Sequence, residues 1–257
     1  MRFIFVIFFS FFTFFVSGCF FDRDDKRESI TMGLTPKELY DLAQISIEEG
    51  VTDEAIKTLE QLQAAYPASK YAIQAKIDIA YQLYKRDRFD ESIEKLNDYI
   101  KIYPNHFSTP YAYYLRGLAS QEKSKSILDE YNITDNAQRD IDSVKIALNF
   151  YLELINKFPS SKYSEEAKTK LVILRNILAR HELFIAIFYT KNDANIAAIN
   201  RCKFIIEKFP NTPSIPAALH LIAHNYDKIN APKLAEDSRR VLKASYPKYT
   251  PHYSLED

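Results

Sequence analysis

The chain has 257 residues, and Lys+Arg and Asp+Glu are equal at 34 each, so the formal net charge is zero. A balanced chain lacks the basic face that displaces counterions from phosphates, which argues against nucleic-acid binding. Glycine occurs only at Gly18, Gly33, Gly50 and Gly117, which removes phosphate-cradling loops from consideration, and the 47% hydrophobic content suits helices packed on helices.

The first element is the stretch Met1 to Cys19. Arg2 precedes an apolar run from Phe3 to Val16, broken only by Ser10 and Thr13, and the run closes on Val16-Ser17-Gly18-Cys19. A positive start, a short apolar core and small residues before a cut describe a secretory signal peptide, here residues 1–18. A cysteine directly after two small residues looks like a lipobox, so Cys19 is the expected lipid attachment site and first residue of the mature chain. The alternative is an uncleaved anchor. A span needs roughly 20 apolar residues, and this run approaches that length only by including Gly18 and Cys19. Phe20 follows the cysteine where an Asp commonly retains Gram-negative lipoproteins in the inner membrane. The expected location is therefore the outer membrane, lipid-anchored at its periplasmic face. Two or more acyl chains anchor stably. With Cys19 acylated, Cys202 has no partner and no intrachain disulfide is expected. Residues 19–34 are charged and aperiodic and read as a tether.

Beyond the tether the sequence repeats. Asp53-Glu54-Ala55-Ile56-Lys57-Thr58-Leu59 recurs 37 residues later as Asp90-Glu91-Ser92-Ile93-Glu94-Lys95-Leu96, and Tyr66-Pro67 recurs as Tyr103-Pro104. A second echo, shifted by 51, carries Ala147-Leu148 onto Ala198-Ile199 and Lys157-Phe158-Pro159 onto Lys208-Phe209-Pro210. Each unit reads as two amphipathic helices and a stop, with apolar residues at three- and four-residue spacings. Small residues sit in the first helix at Ala43, Ala80 and Gly117, and in the second at Ala55, Ser92, Ala147, Ala198 and Ala235. They let two helix backbones approach closely, and the proline ends the second helix. This is the tetratricopeptide pattern. The expected fold is all-α, a right-handed α-solenoid of about five helix-turn-helix repeats over residues 35–250. The repeats fall at about 35–69, 71–105, 110–159, 163–210 and 215–247, followed by a polar tail, 251–257. The third repeat carries a polar insertion around 124–140, and the fourth has a long first helix, Glu165 to Tyr189. Stacked repeats usually form concave binding scaffolds.

Three blocks within this array carry a more specific likeness: Tyr111-Ala112-Tyr113-Tyr114-Leu115-Arg116-Gly117-Leu118, Ala179-Arg180-His181-Glu182-Leu183 and Ala197-Ala198-Ile199-Asn200-Arg201. With the lipobox and five repeats, the chain resembles the BamD family, lipoproteins of the outer-membrane β-barrel assembly machinery. The resemblance implies a non-enzymatic role. The C-terminal repeats would bind the periplasmic POTRA domains of the barrel-forming subunit, and the N-terminal repeats would receive unfolded barrel precursors. Arg201, with Asn200, matches the family position that pairs with an acidic residue on the barrel subunit. The other lipoproteins of the assembly complex are further implied partners. The short C-terminal tail and the tether depart from the family pattern.

Several residues carry more than one reading. Tyr40, Tyr81, Tyr84, Tyr111 and Tyr114 fall near the expected groove once Ala43, Ala80 and Gly117 take the packed position. They could form an aromatic surface that captures barrel precursors, since aromatic side chains dominate binding hot spots. They could equally pack between helices. Without the resemblance, Arg201 would read as a solvated helix residue, and Cys202 reads as core. His220 and His224 lie one turn apart with Asp227 beyond, a spacing that can hold a metal, but an ordinary helix face is the favoured reading. His181-Glu182 is not the zincin motif because Ile185 stands where the second His belongs. No Gly-x-Ser-x-Gly is present. The sequence thus suggests no catalytic constellation, metal or cofactor. The rival reading is a general periplasmic repeat adaptor acting in cell-wall or envelope organisation.

Overall fold

A computed structural model of the chain describes residues 33–124, 141–253 and 255. The expected signal peptide, Cys19, nearly all of the tether and the polar insertion lie outside the described residues. Among the described residues there are ten α-helices: α1 Pro36–Glu48, α2 Thr52–Ala65, α3 Lys70–Lys85, α4 Phe89–Ile102, α5 Thr109–Lys123, α6 Ile141–Lys157, α7 Lys162–Lys191, α8 Asn195–Lys208, α9 Ile215–Lys228 and α10 Pro232–Ser245. The chain divides into two compact units, Met1–Asp78 and Ile79–Asp257, with the boundary inside α3.

In the first unit, α1 begins with a capping box. Glu38 N–H donates to Thr35 Oγ1 at 3.3 Å and Thr35 N–H donates to Glu38 Oε2 at 2.8 Å, with Pro36 opening the helix. The pair α1 and α2 packs face to face. Leu39, Ala43, Ala55, Leu59 and Leu62 are buried, as are Ala72, Ala75 and Ile77 of α3. Tyr66 donates its hydroxyl to Leu34 O at 2.8 Å, which fixes the segment entering α1.

In the second unit each helix from α4 to α10 packs on the next, and α5 touches α7 as α7 touches α9. First helices of successive repeats therefore lie side by side. Two local devices set this arrangement. At the turn inside a repeat, one residue adopts the left-handed conformation: Gly50, Asp87, Asp193 and Asn230, with φ between 53° and 76°. Gly, Asn and Asp are the residues that enter this region most readily. Between repeats, the residue before proline closes the helix by leaving the helical region, with φ of −135° at Tyr66, −122° at Tyr103, −124° at Phe209 and −136° at Tyr246. Clash with the proline ring excludes the helical region there. The carbonyls this leaves open are met by hydroxyls, with Thr109 donating to Tyr103 O and Ser164 donating to Phe158 O at 2.7 Å.

The small residues mark the close approaches. Ala43, Ala55, Ala80, Ser92, Ala147, Ala198 and Ala235 are all fully buried. Ser92 Oγ donates to Ala80 O at 2.7 Å, joining α4 to α3 where no larger side chain fits. At Gly117 a Cβ would lie 2.5 Å from Cε1 of Tyr151, itself fully buried. The helix α7 runs 30 residues. Its N-terminal half joins a core with Tyr113, Val144, Tyr151 and Leu154, and its C-terminal half a second core with Cys202, Ile205, Leu221 and Ile222.

Candidate functional site

Tyr40, the one member of the aromatic stripe in the first unit, is half-buried. Its hydroxyl donates to Asp78 Oδ2 at 2.8 Å and its ring lies 5.5 Å from Tyr71. Gln74 Nε2 donates to Asp78 Oδ1 at 2.9 Å, and Gln44 Nε2 approaches Oδ2 at 3.4 Å. Burial pushes the Asp78 carboxyl above the usual range, against the pull of these hydrogen bonds. Burial first, and then Asp78, likewise raises the Tyr40 phenol.

In the second unit, Tyr81 is 38% exposed and stacks on Tyr84 at 6.3 Å, and Tyr84 leans on Phe89 at 5.9 Å. Tyr111 and Tyr114 form a different group, with centroids 5.3 Å and 5.6 Å from Tyr163. Tyr114 is 9% exposed, lies 6.0 Å from Tyr151 and belongs to the core, so it packs between helices instead of facing a groove. The reason is helical spacing. Tyr114 precedes Gly117 by three residues and therefore shares the packed face, whereas Tyr81 follows Ala80 by one and turns outward. Burial raises the Tyr114 phenol to about 12, with Glu166 adding to the effect.

Arg116 received no role in the sequence reading beyond its place in the aromatic block. It is 7% exposed and joins three helices. Nη1 donates to Asn97 Oδ1 at 2.8 Å and Nη2 to Glu153 Oε2 at 2.6 Å. The guanidinium also lies over the rings of Phe150 at 3.9 Å and Tyr113 at 4.8 Å. A cation inside an otherwise apolar, aromatic run was the available signal, because such a residue is buried only when paired.

On α8, Asn200 is exposed and Arg201 half-buried. Arg201 Nη1 donates to Glu182 Oε2 of α7 at 2.9 Å, and its side chain stays 43% exposed against 16% for Glu182. The carboxylate orients the guanidinium at the surface. Cys202 beside it is buried, and burial pushes its thiol up to about 12. His220 bonds through Nδ1 to the Tyr253 hydroxyl at 2.9 Å, while Asp227 holds Arg239 at 2.6 Å. His220 and Asp227 are thus engaged with different partners. No group of three metal-ligating side chains gathers among the described residues. No helix among them is long and apolar enough to cross a membrane.

Antiparallel helix pairs with small residues at each crossing and proline stops define a tetratricopeptide-type helical-repeat protein. The chain belongs to the YfiO family of outer membrane lipoproteins, whose family model matches residues 32–242. It is 34% identical over 224 residues to outer membrane protein assembly factor BamD of Neisseria gonorrhoeae, covering 87% of this chain and 84% of that protein. It is 29% identical over 232 residues to the BamD of Xylella fastidiosa strain Temecula1, covering 90% and 78%. With the BamD of Haemophilus influenzae the identity is 29% over 230 residues, covering 90% and 86%. Among solved structures it is similar to the TPR2AB domain of yeast Sti1, with a TM-score of 0.44 and 11% identity over 83% of this chain and 78% of that one.

Proposed function

We propose that this chain is an outer-membrane-anchored, non-catalytic scaffold that helps assemble β-barrel proteins in the outer membrane. The observation that carries this reading is the family match over 32–242, which takes in the whole helical array except the end of α10. The shared name of its relatives, outer membrane protein assembly factor, supports the same role here. Cys19 would carry the lipid. The fourth repeat would dock on the barrel-forming subunit through Asn200 and Arg201, and the half-exposed guanidinium held by Glu182 suits an acidic partner residue. Other lipoproteins of the complex would join the assembly. Unfolded barrel precursors would meet the aromatic residues of the early repeats. Tyr81 and Tyr84 are the best-placed pair, being outward and half-buried respectively and already stacked. Stacked aromatics offer rigid contact area with little entropy to lose.

The test is a mild-detergent pull-down of tagged protein from its own membranes, with identification of what co-elutes. Stoichiometric recovery of a large β-barrel protein with POTRA domains is expected, and Arg201→Glu should lower that recovery at unchanged helicity. A Tyr81→Ala, Tyr84→Ala variant should keep the barrel subunit but lose binding of a barrel C-terminal peptide. Recovery of cell-wall or division proteins alone would replace the assembly role with the envelope adaptor.

A further inference from the structure

In the first unit, Asp78 of α3 is a half-buried carboxylate met only by neutral groups. Tyr40 donates its hydroxyl to Oδ2 at 2.8 Å, Gln74 Nε2 donates to Oδ1 at 2.9 Å, and Gln44 Nε2 approaches Oδ2 at 3.4 Å. Among the described residues no cation pairs with it. The lysines of α1 and α3 in this unit are turned to other groups. Lys37 holds Asp41, Lys76 donates to Gln63 of α2 at 3.0 Å, and Lys70 lies over the Tyr71 ring at 5.2 Å.

Helical spacing builds the cluster. Tyr40 and Gln44 lie one turn apart on α1, and Tyr71, Gln74 and Asp78 fall at three- and four-residue steps on α3, so each helix brings one face to it. The Tyr40 ring, joined to Asp78 through its hydroxyl, lies 5.5 Å from the Tyr71 ring. An ionised carboxylate removed from water is costly unless it is fully compensated. Here burial outweighs the three hydrogen bonds and holds the carboxyl above its usual range. A neutral amide oxygen could tie α1 to α3 without that cost, so the charge points to a ligand of opposite sign. The surroundings agree. Over residues 33–78, eight Asp and Glu stand against four Lys and no Arg, which draws cations to this unit.

We propose that Asp78, with the Tyr40 ring beside it, is a subsite for an arginine side chain of an extended polypeptide taken up by the early repeats.

This rests on the reading of those repeats as the receiving surface for barrel precursors, and adds positive charge to the aromatic and apolar features they recognise. A guanidinium suits the site better than an ammonium. It is planar, stacks on an aromatic face and offers paired donors to a carboxylate. Oδ1 holds one donor, Gln74, and a carboxylate oxygen has room for two. The long Gln44 contact is the one that yields to a second donor on Oδ2.

Fluorescence anisotropy with the full chain tests this. The probes are labelled copies of a barrel C-terminal peptide in which arginine, or its uncharged isostere citrulline, is placed at each position in turn. At one position or more, the wild type should bind the arginine peptide about tenfold more tightly than its citrulline twin, the weight of one hydrogen bond to a charged group. Asp78→Asn keeps an oxygen for Tyr40 but loses the charge, and should bind both twins alike at the citrulline affinity. Equal binding of the twins by the wild type at every position would overturn the subsite while the receiving role stands. Binding of no peptide at all would remove that role and the subsite with it. An equal weakening toward both twins in Asp78→Asn would reduce Asp78 to a tie between helices and overturn the proposal. Carboxyl-carbon NMR of the wild type decides the matter if Asp78→Asn fails to fold. A bound guanidinium favours the ionised carboxyl, so the Asp78 midpoint should fall with the arginine peptide and not with its twin. An unmoved midpoint would overturn the proposal.

Discussion

Gly117 is the residue whose chemistry is most tightly constrained. A methyl group there meets the buried Tyr151 ring at 2.5 Å, and that ring is wedged against Tyr114 and cannot swing out. Gly117→Ala should therefore cost about 1–3 kcal/mol of stability, as over-packing does in a filled core, even though alanine has the higher helix propensity. Urea unfolding followed by circular dichroism measures it, and a stabilised variant would contradict the packing. Asp78 makes a pH-dependent prediction. Its carboxyl is raised in the fold by burial, so the group favours folding most when protonated, below its unfolded value of about 3.9. That contribution fades as pH rises through the folded value. Asp78→Asn should compare best with the wild type near neutral pH and lose ground as pH drops toward 3.8 and below. Melting temperatures of the two proteins across that range give the answer, and a difference independent of pH would mean that the carboxyl is not desolvated.

At the scale of elements, the turns decide where helices stop. Asp87 lies at φ 58° between α3 and α4, in the place that Gly50 takes between α1 and α2. A residue with a Cβ and no local hydrogen-bonding side chain is strained there by roughly 1–2 kcal/mol. Asp87→Ala should accordingly be about 1 kcal/mol less stable than Asp87→Gly by chemical denaturation, and equal stability of the two would remove the left-handed turn as a determinant. The 37-residue echo predicts these helix ends because turn residues and prolines are local in their action. It does not predict the hydroxyls that meet the pre-proline carbonyls. Thr109 and Ser164 each lie six residues beyond their acceptors, and only the folded turn brings them back.

For the whole molecule, the C-terminal core has its own reporter in Cys202. The thiol is fully buried and raised to about 12 by desolvation, so it stays protonated and unreactive while the second unit is folded. Iodoacetamide at about pH 8 should leave Cys202 unlabelled in the native protein and label it fully in urea, since a free thiol titrates near 8.5. Rapid labelling without denaturant would show that this core opens far more easily than its burial implies. The proposed scaffold role concerns this scale too, because a surface presented by α7 and α8 together exists only while that core holds them side by side.

Periodicity determined much of the architecture. The spacing of small residues, aromatic-proline stops and apolar positions was enough to read helix pairs stacked as tetratricopeptide repeats, because each of these signals acts within one or two turns of its own chain. The blocks at 111–118, 179–183 and 197–201, taken with the lipobox and the five repeats, were enough to read the family, which the match over 32–242 then showed. What tertiary structure alone decided was the fate of individual side chains. Tyr114 is core because Tyr151 and Tyr163 of later helices close over it, whereas Tyr81 turns outward. Arg116 needed Asn97 and Glu153 from two other helices to be buried at all. The tail, expected as a polar end, carries Tyr253 and Leu255 onto α9, a contact spanning more than thirty residues of sequence that no local pattern encodes.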